Sequence, residues 1–278
     1  MSAMQLVRRV MRRAALMPLR LIDAGGQAEA IEILSAGAIA STPVNGTALK
    51  FYAPSALLRR RADTVLAKEP DTIAWLDTLG DRDVLWDVGA NVGVFSLYAA
   101  ALRRCHVLAF EPSAANFFVL TRNVQINQLS DRLTAYCVAL SGASGLGVLN
   151  LDSPELGTAM SQFGRPGEVS RYSSGATPVT HGMIGFTVDE FIGRFSPLFP
   201  THLKLDVDGL EWPILQGARH TLRDPRVRSV IVELSLTQTA ERDRATALLA
   251  ECGLQFIARG ESQGAAGEQA ANHRFDRR

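Results

Sequence analysis

Cysteine is scarce: Cys105, Cys137 and Cys252 are the only three among 278 residues, far apart and without C-x-x-C spacing. That excludes a disulfide framework and points to small buried thiols in a reducing compartment, the cytoplasm. Long apolar runs are missing too, since none reaches the roughly 18 to 20 residues that a membrane span requires. An excess of one charge is lacking, with 29 basic against 28 acidic residues. A nucleic-acid partner gripped through a broad basic surface is therefore not expected. No histidines and acids have metal-ligand spacing, so no metal is expected either. Also absent is the G-x-G-x-x-G fingerprint, whose glycines seat a pyrophosphate at a helix N-terminus.

What is present is an apolar content of 47%, enough for one large α/β domain with an appendage. The chain is organised around Asp87-Val88-Gly89-Ala90-Asn91-Val92-Gly93. An apolar run ends in an acid, a glycine-bearing turn follows, and a helical pattern opens at once, as when a strand feeds a helix in a nucleotide-binding unit. Gly89 and Gly93 let the backbone turn sharply and approach a ligand, and Asn91 is among the few other residues that tolerate positive φ. An acid ahead of the glycines suits a ligand with a positive charge and no phosphates, such as the sulfonium of S-adenosylmethionine. An ordinary strand-to-helix turn is the plainer alternative.

Residues 1–80 read as a mainly helical accessory extension. It opens with Arg8, Arg9, Arg12, Arg13 and Arg20 among apolar residues, a basic amphipathic helix. Such a helix either packs on its own domain or makes peripheral contact with an anionic membrane surface. A strand is expected over 47–52, and Asp71 is placed to cap a helix beyond it. From 81 to 278 strands and helices alternate, which implies a mostly parallel sheet covered on both faces. Glu111 closes the second strand 24 residues beyond Asp87, where two carboxylate oxygens match a ribose diol. The third strand runs over 133–140, with Ala139 at the end where an adenine would lie. Residues 141–186 are rich in glycine and serine and read as an insertion, with strands over 147–151 and 178–186 and a cover over 153–172. Lys204 and Asp206 alternate onto one face of the fourth strand. Lys204 has Glu233 as its expected partner on the next one.

Four stretches together resemble the FkbM family of S-adenosylmethionine-dependent methyltransferases. They are the turn at 87–93, Ala109-Phe110-Glu111-Pro112, Lys204-Leu205-Asp206-Val207-Asp208-Gly209-x-Glu211, and Leu215-Gln216-Gly217-Ala218. The resemblance covers about residues 80–278. It implies a Rossmann-like class I methyltransferase fold, a seven-stranded sheet whose last strand is antiparallel, and O-methylation of a sugar, glycan or secondary-metabolite hydroxyl. Carried over by position, Asp87, Gly89, Ala90, Asn91 and Gly93 would hold the methionine end of the cofactor and Glu111 its ribose. Asp206 would face the methionine portion or the reacting centre. Where this chain has Asp208 the family commonly has glutamate, which puts the substrate geometry in question.

A hydroxyl nucleophile benefits from a nearby proton acceptor, and the candidates are Asp208, Glu211 and His181. Asp208 follows the crevice-facing Asp206 by two residues; its alternative role is that of a turn acid. Two other function classes stand beside the methyltransferase. A nicotinamide-dependent reductase lacks its fingerprint here, whereas a binding module that kept the fold without catalysis would retain the same turn residues. Nothing in the chain reveals an oligomeric state.

Overall fold

The computed structural model describes residues 21–65, 67–151, 153–159, 161–164, 179–261 and 269–278, together with Ala14, Met17 and Pro18. Most of the basic stretch at the N-terminus lies outside the described residues. Among the described residues no helix is long and apolar enough to cross a membrane.

The extension starts with α1 (Ala24–Ala36), capped by Asp23, whose carboxylate accepts from the Gly26 amide at 2.8 Å. None of its residues is buried. Strands β1 (Ile39–Val44) and β2 (Thr47–Tyr52) then form an antiparallel hairpin. The strand expected over 47–52 thus has a partner in β1: Asn45 and Gly46 take φ of 47° and 81°, the two-residue turn that Asn-Gly favours between strands. Helix α2 (Ala56–Asp63) is capped by Ser55, and α3 (Pro70–Leu76) begins on its proline. Asp71 does not cap α3; its carboxylate accepts instead from the Glu261 amide at 3.0 Å.

The main domain runs β3 (Val84–Val88), α4 (Val94–Tyr98, prolonged by a π turn), β4 (His106–Phe110), α5 (Ala114–Ile126), β5 (Leu133–Tyr136), β6 (Ala139–Leu140), β7 (Gly145–Leu151), β8 (Gln162–Gly164) and β9 (Val179–Phe186). It continues with α6 (Val188–Phe195), β10 (His202–Leu205), α7 (Glu211–Gln216), α8 (Arg219–Arg223), β11 (Ser229–Ser235), α9 (Thr239–Glu251), β12 (Leu254–Arg259) and β13 (Ala270–Arg277). The seven-stranded sheet has the order β12-β13-β11-β10-β3-β4-β5. Neighbours from β11 to β5 are parallel, and only β13 runs against the others, between β11 and β12. The expected strand over 133–140 is broken after Tyr136, because the chain leaves the sheet edge there. Its second piece, β6, pairs instead with β9.

Side-chain alternation sends the sheet's residues into two apolar layers. Trp86, Val88, Leu203, Leu205, Val230 and Val232 pack with Phe191, Ile214 and Leu248 on one face. Leu85, Val107, Ala109 and Ile231 pack with Trp75, Leu97 and Leu120 on the other, and Leu49 and Phe51 of the hairpin join this layer. The extension therefore shares a core with the sheet. Its edge strand β2 is held by amides of α5: Tyr52 N–H donates to Asn123 Oδ1 at 2.6 Å, and Lys50 N–H to Asn127 Oδ1 at 2.9 Å.

The insertion is a four-stranded sheet of order β6-β9-β7-β8. Its glycines have a packing reason. A β-carbon on Gly147 or Gly185 would lie 2.6 or 2.5 Å from the Phe163 ring, which rests on both. Of the cover expected over 153–172, residues 165–172 lie outside the described residues.

Candidate active site

The carboxyl ends of β3, β4 and β10 meet at a crevice, the place where open α/β sheets receive ligands. Gly89 and Ala90 N–H both donate to the Phe110 carbonyl, at 3.0 and 3.1 Å. The turn is then carried through left-handed conformations at Gly89 (φ 83°), Asn91 (φ 50°) and Gly93 (φ 82°). Glu111 braces it: one oxygen accepts from Asn91 N–H and the other from Ser113 N–H, both at 2.8 Å. Burial pushes the Glu111 carboxyl up to about 7, although these amides favour its charged form.

Behind the turn lies a buried charge cluster. Asp87 accepts from Ser96 Oγ at 2.5 Å through one oxygen, and its other oxygen, with no hydrogen bond, sits 3.9 Å from Lys204 Nζ. Lys204 donates to Asp206 at 2.8 Å and lies over the Phe95 ring. Burial alone would strip its proton, yet Asp206 and Asp87 hold it firmly charged. Burial likewise opposes ionisation of Asp206, but Lys204 outweighs it and keeps that carboxyl below the usual range. The expected Lys204–Glu233 pair does not form. The parallel register sets Lys204 opposite Ile231 and Asp87, so Glu233 falls two residues further on, level with Asp206. Repulsion from Asp206, together with burial, drives the Glu233 carboxyl up to about 9.

The exit turn of β10 places Asp208 at φ 55° and Gly209 at φ 95°. Glu211 secures it by accepting from Val207 N–H at 3.0 Å and Gly209 N–H at 3.2 Å. Burial, first among the causes, raises the Glu211 carboxyl to about 7.

The crevice between these turns encloses about 160 Å³. Gly89, Asn91, Glu111, Ala139, Asp206 and Asp208 line it, as expected from sequence. Asp87, Ala90, Gly93 and Glu211 do not; they shape the turns from behind. His181 lies on β9, its Nε2 3.4 Å from the Pro112 carbonyl oxygen, and it does not line the crevice. Other lining residues are brought in by distant segments. Arg61 and Lys68 come from the extension, Asn116 from α5, and Thr158, Ser161 and Phe163 from the insertion, within the cover expected over 153–172. The Thr158 carbonyl accepts from Asn91 Nδ2 at 2.8 Å and Asn116 Nδ2 at 2.9 Å, and Arg61 Nε donates to the Gly157 carbonyl at 2.7 Å. Among the described residues, no group of three or more histidine, cysteine or acidic side chains gathers as metal ligands do.

The lining fits a cationic donor with a ribose. Asn91 Oδ1 and Ser161 Oγ are buried there without a hydrogen-bond partner among the described residues, a state that polar ligand groups would relieve. Asp206, Asp208 and the ionised form of Glu111 supply negative charge, while Phe110, Val138, Ala139 and Leu140 offer an apolar strip for a base. Ligand pockets start at about 300 Å³, and the crevice, at about 160 Å³, is smaller than that.

Sheet order and crevice together define a class I S-adenosylmethionine-dependent methyltransferase. Within that class the chain belongs to the FkbM methyltransferase family: the profile described as "Methyltransferase FkbM domain" matches residues 87–256. The chain is similar to the hexuronic acid methyltransferase AglP of Haloferax volcanii, with 27% identity over 204 residues, 72% of this chain and 77% of that protein. Among solved structures it resembles the precorrin-6y C5,15-methyltransferase of Geobacter metallireducens, at 12% identity and a TM-score of 0.47, over 78% of this chain and 93% of that one. TYW2 of Pyrococcus horikoshii, solved with MeSAdo, gives 12% identity and 0.45 over 86% and 71%.

Proposed function

We propose that this chain methylates a hydroxyl of a sugar or glycan. The observation that carries the reading is the Asp206–Asp208 turn, which brings two carboxylates to the crevice beside the glycine turn. The similarity to a hexuronic acid methyltransferase supports a saccharide over a secondary metabolite. When bound, S-adenosylmethionine supplies a methyl group already activated on a sulfonium, so the protein mainly has to position the acceptor and exclude water. In this reading Glu111 accepts from the ribose hydroxyls with the lone pairs its two amide bonds leave over. Gly89 and Asn91 hold the methionine end from the β3 turn, and the apolar strip with Ala139 receives the base.

Asp208 takes the proton from the acceptor hydroxyl. Glu211 keeps that acid in place through the Val207 and Gly209 amides rather than acting as the base itself, since it is spent on those bonds. Asp206 stays charged through Lys204 and faces the donor. Asp208→Asn is the test. Donor affinity should stay within twofold of wild type by calorimetry, while the rate of methyl transfer to a saccharide acceptor falls by roughly 10² to 10⁴. Unchanged turnover with normal donor binding would remove Asp208 from this role.

A further inference from the structure

A second cavity, of about 360 Å³, adjoins the crevice and shares Arg61 and Lys68 with it. Its described lining consists of Leu57, Arg60, Arg61, Thr64, Ala67 and Lys68: three cations and no acid. Its size falls within the range of small-molecule pockets, which begins at about 300 Å³. By contrast, the crevice adds Glu111, Asp206 and Asp208 to the same Arg61 and Lys68. The second space is thus the purely cationic one, and Arg61 and Lys68 stand at the boundary between the two.

The protein offsets these cations only in part: Asp206 and Asp208 attract Arg61 from the crevice, and Lys68 lies close enough to favour the Asp206 carboxylate. Arg60 has no carboxylate partner among the described residues, because the neighbouring Asp63 pairs with Arg59. Arg61 uses its Nε on the neutral carbonyl of Gly157. Lys68 meets Glu69 at 3.2 Å with 60% of its side chain exposed, a pairing that water screens to little effect. A cationic donor in the crevice would add positive charge beside Arg61 and Lys68. An acceptor that brought its own anion would offset this, whereas a neutral one would not.

We infer that the acceptor is an anionic saccharide, bearing a carboxylate or a phosphate, whose charged group rests on Arg60, Arg61 and Lys68 while its hydroxyl enters the crevice beside Asp208. This rests on the saccharide reading above and narrows it. Guanidinium groups suit either anion, since their paired N–H donors match carboxylate and phosphate oxygens alike.

The test uses the full chain saturated with S-adenosylhomocysteine and titrated calorimetrically with a methyl glucuronide, glucose 1-phosphate and a methyl glucoside. These probes share a ring and differ in charge. At least one anionic probe should bind tenfold or more tightly than the glucoside, and the two anionic arms tell carboxylate from phosphate. Arg60→Gln, an exposed change on a helix, should bring the preferred anion to within threefold of the glucoside, leaving glucoside and S-adenosylhomocysteine affinities unaltered. Lys68→Gln should act in the same direction. Equal binding of all three probes, or an anion preference untouched by both variants, overturns the inference. If the neutral glucoside is bound and methylated as well as the others, the saccharide reading survives and only this one falls. If none of the three binds while S-adenosylhomocysteine does, both fall.

Discussion

Replacing Gly89 by alanine probes the geometry on which the crevice depends. A β-carbon there would collide with the backbone carbonyl of Asp206 and approach Val207 Cγ1 to 3.1 Å. Residue 89 also sits at φ 83°, a conformation that costs an L-residue about 1–2 kcal/mol. The collision adds a further 1–3 kcal/mol or so, because a backbone carbonyl at a strand end cannot swing aside like a side-chain tip. The expected loss is thus about 2–5 kcal/mol in urea-induced unfolding. Gly46 provides the control: its φ is 81° but nothing lies within 4 Å of its notional β-carbon, so Gly46→Ala should cost only about 1–2 kcal/mol. Donor binding separates the two variants further. The collision displaces the β3 turn and Asp206, both of which face the donor, so Gly89→Ala should raise the Kd for S-adenosylmethionine at least tenfold, while Gly46→Ala leaves it alone. Equal losses of stability in the two variants, with donor affinity intact in both, would refute the close approach of the β3 turn to β10.

Glu111, held near 7 by burial, should make donor binding pH-dependent. If only its carboxylate form accepts the ribose diol, Kd scales as 1 + 10^(pKa − pH) and falls about tenfold from pH 6 to pH 8, with proton release seen as buffer-dependent heats. A flat profile would detach Glu111 from the donor. The same raised pKa exceeds the unfolded value, so this group's contribution to stability is present below about pH 4.5 and is lost as pH climbs toward 7. Lys204→Met removes the common partner of Asp87 and Asp206 and should cost about 3–5 kcal/mol at pH 7. The folded-state pKa of both acids would then lie above their unfolded value, so the deficit should shrink on acidification to pH 5; a pH-independent deficit would contradict the pairing. Glu211→Ala leaves the Val207 and Gly209 amides without their acceptor, at about 1–3 kcal/mol each. Turnover should drop more than donor affinity, and an unaffected rate would show that the β10 turn holds itself.

The sheet and the cofactor crevice were legible because each strand end carries its chemistry in a short contiguous motif. The turns after β3, β4 and β10 each span fewer than ten residues, and their positive-φ sites fall on Gly89, Asn91, Gly93, Asp208 and Gly209. Asp87 shows where such reading stops. Its motif position suggests a ligand contact, but alternation along β3 points it toward Ser96 and Lys204 beneath the turn. The Lys204–Glu233 pairing failed on register, which no single strand encodes. The hairpin was half legible, its second strand over 47–52 being expected and the first being readable only from the Asn45-Gly46 turn that joins them. Arg61, Lys68 and Asn116 had no signal: they reach the crevice through the packing of the extension and of α5, and composition does not report packing.

The buried cluster at the crevice floor makes sense only as part of the site. Replacing Lys204, Asp87 and Asp206 by apolar residues of similar volume would relieve a desolvation penalty of several kcal/mol per ion, so the cluster is a poor device for stability alone. What it achieves is asymmetric charge. Lys204 keeps Asp206 ionised at a strand end where burial would otherwise protonate it, and the same Asp206 forces Glu233 to retain its proton. Among the acids at the mouth, charge is therefore concentrated on Asp206, beside the glycine turn, rather than spread over the neighbouring strand. A cationic donor is thereby drawn to the carboxylate that burial does not neutralise.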